Sequence, residues 1–574
     1  MNSLILLIAS LAGSALSYQD VIETTGDLIV TNDVLSPDGF SRGAIEFGPL
    51  IKAHTGDNIR INVVNQLTDR SMPVSTSIHW HGLFQRGSSW ADGPEFVTQC
   101  PIVPNESFEY SFEADHPGTF WYHSHVKAQY CDGLRGPLVI YDSNDPYRFS
   151  YDYDNEHTII TLADWYHVSS ELIRGAARPD STLINGVGRY KGGPKVDLAV
   201  IHVEPGKRYR FRLVSIACDP NYQFSIDGHS VVIIEADGEY VQAVEVDSIQ
   251  IFAAQRYSFI LKADKPVGNY WIRADPNVGD QGFEGGLNSA ILRYIGAPEE
   301  EPTSAASESK MPLRETDLHA MLDSPAPGVP QPGAADINIR LVPTFNTSTL
   351  KFQVNDKTFV PPETPSLPVM LQILSGTHLA QDLLPQGSVY GLQRDKVVEL
   401  VIPPLVLGGP HPVHLHGHAF SVVRSAGSTS YNFENPVRRD VVSIGNPGDE
   451  VTIRFKTDNP GPWLFHCHID FHFVRGFAVV FAEDAPSITS NAPPAWDELC
   501  PKYERFAGVQ DSRQALSQAR KAAAQAVTTS QRGPDANKGR ITDDASVDDN
   551  STGDMQERAV RHIKNPMARR EIFP

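Results

Sequence analysis

The chain has 574 residues, 41% of them hydrophobic and 20% charged, with 43 glycines and 43 prolines. That is too long for one small module; at roughly 100–200 residues per domain it predicts three to five loop-rich units, each able to bury its own core. A net charge of −21 excludes the basic footprint of a general nucleic-acid binder, and five cysteines leave one without an intrachain partner.

In chain order, residues 1–17 carry an apolar run from Leu4 to Ala12 and end on Ala15-Leu16-Ser17, the pattern of a cleavable signal peptide. No later stretch reaches the ~18 apolar residues of a membrane span. The expectation is a secreted, extracellular protein with no membrane partner, in an oxidising environment where disulfides persist. Asn105, Asn346 and Asn550 each open an Asn-x-Ser/Thr triplet and are glycosylation candidates.

A degenerate repeat organises the middle of the chain. Residues 107–125, 257–275 and 450–468 each place alternating apolar residues before Asp-x-Pro and a glycine, then a second apolar segment. This is a strand, turn, strand unit, and Gly118, Gly268 and Gly461 recur at domain-sized intervals. Gly56 to Val63 and Gly206 to Leu213 alternate polar and apolar residues, the mark of a half-buried strand. An all-β chain of three β-sandwich domains follows, over residues 18–150, 151–315 and 316–503, with linkers near 145–155 and 296–335. Residues 504–574 read as a disordered polar tail, with a helix-compatible stretch at 508–526. Basic residues outnumber acidic ones after Cys500, so the acidity belongs to the folded part.

Four histidine clusters carry the chemistry: His79 and His81; His123 and His125; His411, His414 and His416; and His466, Cys467, His468 and His472. On a strand, residues i and i+2 share a face, so each His-x-His pair aims two imidazoles into one site. Two clusters fall at the same place in the repeat, where the middle copy has Arg273 and Asp275. A metal site built between domains one and three, with domain two as a spacer, is the consequence. So many ligands exceed the four of a structural zinc site, and imidazole-rich sets favour copper among the divalent first-row ions. Cys467 points to the opposite face from its two neighbours; with His472 and one more imidazole it forms the trigonal set of a blue copper site. The bland alternative is a group of core histidines or a surface metal-scavenging tract.

With these residues in place, the sequence resembles the multicopper oxidases, and within them the basidiomycete laccases. The motifs are HWHG at 79–82, HSH at 123–125, HPVHLHGH at 411–418 and HCHIDFH at 466–472, with WADGPEFVTQCPI at 90–102 and LINGVGRY at 183–190 alongside. The resemblance runs from about residue 20 to about 503 and implies three consecutive cupredoxin-like Greek-key domains. It implies four copper ions per monomer: a type 1 copper on His411, Cys467 and His472, a type 2 copper on His79 and His414, and a type 3 pair on His81, His123, His125, His416, His466 and His468. His418 has no ligand role by this analogy. Phe477 takes the axial place at the type 1 copper, where a phenyl ring donates nothing and the potential rises. Asp219 and the exposed edge of His472 meet a phenol or aromatic amine, and Asp92 and Asp470 assist proton delivery during reduction of dioxygen to water. Cys100 pairs with Cys500 and Cys131 with Cys218, which leaves Cys467 as the thiolate.

The implied enzyme is a monomeric secreted laccase acting in phenol or lignin turnover or in detoxification, on small phenols and dioxygen. Without the resemblance, Asp219 is an ordinary Asp-Pro turn residue and Asp92 an Asp-Gly turn residue. A secreted ferroxidase of the same superfamily is the nearest alternative; a non-catalytic copper carrier would need the cysteine site alone.

Overall fold

The computed structural model describes residues 21–508 apart from 364, 365, 406, 408 and 490. The signal-peptide reading of residues 1–17, the triplet at Asn550, and the tail from 509 onward with the helix read there lie outside the described residues.

Sheets dominate, and the all-β expectation holds. In the first domain a five-stranded sheet, ordered Val21–Ile22, Leu50–His54, Arg135–Tyr141, Gly118–Ser124 and Ile78–His81, packs on a three-stranded sheet of Thr25–Val30, Asn58–Asn65 and Ser107–Glu113. Ile59, Ile61 and Val63 from one sheet meet Ile51, Trp80 and Phe120 from the other in a shared core. The second domain pairs a seven-stranded sheet with a five-stranded one, and the third packs two five-stranded sheets. Neighbouring strands are often not consecutive in the chain: Arg135–Tyr141 runs parallel to Leu50–His54 and antiparallel to Gly118–Ser124. These crossovers are what the long connections of Greek-key wiring produce.

The repeat unit turns out to be a bridge between sheets rather than a hairpin. Ser107–Glu113 and Gly118–Ser124 lie in different sheets of domain one, as do Arg256–Lys262 and Asn269–Pro276 in domain two, and Val451–Lys456 and Gly461–Cys467 in domain three. The Asp-x-Pro turn carries the chain over the sandwich edge, where proline's missing N–H breaks the ladder. Gly118 is needed there: its φ is +151°, and a Cβ would come within 2.6 Å of Gly238 in domain two.

One expectation is corrected. Strand Arg208–Ser215 is buried on both faces, whereas its counterpart Asn58–Asn65 alternates as expected. Arg210 pairs with Asp145 and Glu235, and Arg212 pairs with Asp154 and donates to Thr119 Oγ1 of domain one. Opposite charges at these positions let the polar face be covered by the neighbouring domain.

The helix at the end of the third domain also departs from the expected bounds. Helix Leu499–Ala507 runs four residues past the expected domain limit at 503. It is held by Tyr503, which rests against Phe96 and donates to Glu363, and by Lys502 on Glu106. Cys100 is bonded to Cys500 and Cys131 to Cys218, and Cys467 is the free cysteine.

Candidate metal centre

Strand Ile78–His81 pairs with Gly118–Ser124 so that His79 stands opposite His123, and Pro412–Leu415 pairs with Gly461–Cys467 so that His414 stands opposite His466. Alternation along each strand turns the His-x-His members to one face. These faces, one from domain one and one from domain three, interleave: the His79 ring lies 3.9 Å from His416, and the His81 ring 3.8 Å from His414. Three sets of ligand atoms result, each within 4.8 Å of one another: His79, His81 and His414; His81, His123 and His468; and His125, His416 and His466.

The outward nitrogens fix the tautomers. Nδ1 donates to a main-chain carbonyl in His79 (Asp92, 2.8 Å), His123 (Ser124, 2.9 Å), His414 (Asp440, 2.9 Å) and His466 (Cys467, 2.9 Å). A carbonyl can only accept, so Nδ1 carries the proton and Nε2 keeps its lone pair for the cluster. Inside, Nε2 of His79, His123, His125, His414 and His468 and Nδ1 of His81 are buried without a hydrogen-bond partner. Each such orphan costs about 1–3 kcal/mol, and a metal ion at the centre removes that cost. Burial first, and the crowding of other imidazoles second, hold His81, His123, His125, His416, His466 and His468 well below the ordinary histidine pKa. Neutral imidazoles with inward lone pairs fit a metal cluster.

On the other face of the same strand, Cys467 Sγ lies 3.6 Å from His411 Nδ1 and 3.8 Å from His472 Nδ1. His411 donates its Nε2–H to the Leu407 carbonyl at 3.0 Å, which frees Nδ1. Burial pushes the Cys467 thiol up; a cation beside it reverses that and yields the thiolate. Phe477 is buried, with its ring 5.6 Å from that of His411 and stacked on Phe352. His472 is half-buried on the short helix Asp470–Phe473. The Asp470 amide donates to the Cys218 carbonyl at 2.9 Å, bringing the Asp219 loop beside that helix. Asp219 is half-buried, and burial, then the Asp164 charge, raise its carboxyl to about 7 against the opposing pull of Arg475.

Asp92 joins the two domains, with Oδ2 2.9 Å from His416 Nδ1 and Oδ1 3.2 Å from His79 Nδ1. Asp470 is buried, and burial, then Glu95, push its carboxyl well up. His418 turns away from the cluster to Glu483 at 3.0 Å, packed on Phe455 and Trp463. Sequence reasoning missed two groups. Tyr130 donates to the Ala217 carbonyl and accepts from His468 Nδ1 at 3.4 Å. Asp440 reaches His81 Nε2 at 3.1 Å and His414 Nδ1 at 3.4 Å. The one available signal for Asp440 was the charged triple Arg438-Arg439-Asp440 set against the apolar Val441-Val442.

Comparison with known proteins agrees with this geometry. Three family models, each described as multicopper oxidase, match residues 45–145, 156–297 and 362–487. The chain is 56% identical over 500 residues to laccase-2 of Pleurotus ostreatus, covering 84% of this chain and 93% of that one. It is 56% identical over 513 residues to a laccase of Trametes hirsuta, covering 87% and 97%. Among solved structures, the laccase of Botrytis aclada superposes with a TM-score of 0.74 at 28% identity, over 85% of this chain and 93% of that one. Fet3p, a multicopper oxidase that functions in iron import, gives 0.73 at 26% identity, over 85% and 96%. The chain belongs to the multicopper oxidase family, and copper is its cofactor.

Proposed function

We propose that the protein is a laccase, which oxidises phenols and aromatic amines one electron at a time and reduces dioxygen to water. Cys467 carries this reading: its thiol meets His411 and His472, while its chain neighbours His466 and His468 face the other cluster. Two metal sets are thereby joined by a single peptide segment. The extent of identity to fungal laccases supports the same reading.

His411, Cys467 and His472 would hold the type 1 copper, and His79 and His414 the type 2 copper. His81, His123 and His468 would hold one type 3 ion, and His125, His416 and His466 the other. Copper supplies one-electron oxidation at the first set and four-electron reduction of dioxygen at the second. The chain's own groups do the rest. The exposed edge of His472 meets the substrate, and Asp219 accepts the hydrogen bond of its hydroxyl or amine. Phe477 denies the cysteine site a fourth donor. Asp92 and Asp470 would assist proton delivery during reduction of dioxygen, Asp470 from a buried carboxyl whose pKa is pushed up.

Two disulfides suit an oxidising compartment, which supports export, and no helix among the described residues is long and apolar enough to cross a membrane. Turnover of a dimethoxyphenol and of Fe(II) by the copper-loaded enzyme tests the reading. Phenol turnover exceeding that of Fe(II) is expected; the reverse order would favour the ferroxidase alternative.

A further inference from the structure

The second domain contributes no histidine to the metal sets, yet one of its arginines reaches them. Arg256 is fully buried. It grips Asp440 with both arms of its fork, Nη1 to Oδ1 at 2.7 Å and Nη2 to Oδ2 at 2.6 Å. Two further donors are also committed: Nε to the Thr119 carbonyl of domain one at 2.9 Å, and Nη1 to the Ala254 carbonyl at 3.1 Å. Asp237 steadies the arginine from behind, accepting its main-chain N–H at 2.8 Å. Asp440, so clamped, faces one histidine from each outer domain. Its Oδ1 lies beside His81 Nε2 and His414 Nδ1, and its carbonyl accepts from His414.

The contrast with Asp92 sharpens the point. Asp92 also spans a domain-one and a domain-three histidine, His79 and His416, but among the described residues no arginine or lysine pairs with it. A bidentate guanidinium–carboxylate pair fixes orientation as well as charge. Groups in the shell behind metal ligands set ring orientation, and their loss costs about 10- to 100-fold in metal affinity.

We propose that Arg256 is a positioning residue for the trinuclear site: by fixing both oxygens of Asp440 it sets the rings of His81 and His414, so that the middle domain governs how tightly the type 2 copper is held. The space allows no slack, because a Cβ on Gly82 would come within 2.6 Å of Arg256 Nη2 and 3.0 Å of Asp440 Oδ2.

This inference rests on the ligand set proposed above, and the test separates the two. Copper-loaded wild type, Arg256→Lys and Asp440→Asn are dialysed against graded chelator. Copper per chain, the type 2 electron paramagnetic resonance signal and the blue absorption of the Cys467 site are read together. Arg256→Lys keeps the buried cation but loses the fork; Asp440→Asn keeps the shape but loses the charge. Each should give up its type 2 signal at about 10- to 100-fold lower chelator than wild type, with the blue absorption lost at the wild-type concentration. Type 2 retention equal to wild type in both variants, or type 2 and blue signals falling in step as a general loss of structure would make them, overturns the positioning role. Wild type without a type 2 signal overturns the ligand reading and this inference together.

Discussion

Asp219→Asn replaces a carboxylate by an amide of the same shape at a position whose side chain accepts no hydrogen bond from the described residues, so its effects come from charge. Burial and Asp164 raise the folded-state pKa from 3.8 to about 7. A raised pKa means that the wild type's stability at this site is full below the ordinary aspartate range and is lost as pH rises through about 7. At roughly 1.4 kcal/mol per unit, the loss is on the order of 4–5 kcal/mol by pH 8. The asparagine variant escapes that loss. It should match wild type in thermal stability near pH 3.5 and surpass it progressively up to pH 8. The same variant keeps an amide oxygen as acceptor but loses the negative charge that strengthens the hydrogen bond of a phenolic hydroxyl, so its kcat/KM for phenols should fall and lose the pH dependence that wild type shows across this range. A donor without a hydroxyl or amine should be turned over as by wild type. Unchanged KM and pH profile for phenols would refute the substrate role, and a stability difference independent of pH would refute the electrostatic reasoning.

Other perturbations follow from the same geometry. Phe477→Met supplies a thioether donor to the cysteine site and should lower the type 1 potential in a redox titration; no shift would remove the axial assignment. His418→Ala should keep copper content and blue absorption while costing about 0.5–3 kcal/mol in denaturant unfolding, because a buried ring packed on Phe455 and Trp463 is removed and Glu483 keeps only the Asn459 N–H. Removing the Cys100–Cys500 bond, which spans 400 residues, by Cys500→Ser should lower stability by on the order of 3–5 kcal/mol, read as a fall in unfolding midpoint with the blue absorption intact before the transition.

The metal centre was legible in the sequence because its ligands are local: His-x-His on a strand fixes a shared face, and Cys467 between His466 and His468 fixes the opposite one. The groups behind those ligands were not. Asp440 meets His81 across 359 residues and Arg256 across 184, and no spacing rule links positions that only the packing of three domains brings together. Alternation failed at Arg210 and Arg212 for a related reason: the pattern marks them as polar, and only distant acids, Asp145 from domain one and Asp154 and Glu235 from their own domain, let them be buried. The Asp-x-Pro turns announced two strands each, while the sheet to which each strand belongs depended on pairing partners far away in the chain.

The stoichiometry of turnover tests the central claim most directly: phenol oxidised and dioxygen consumed, measured together on the copper-loaded enzyme with hydrogen peroxide assayed at the end. A laccase built on the two joined metal sets consumes one dioxygen for every four one-electron oxidations and leaves no peroxide. Two oxidations per dioxygen with peroxide accumulating would contradict the account.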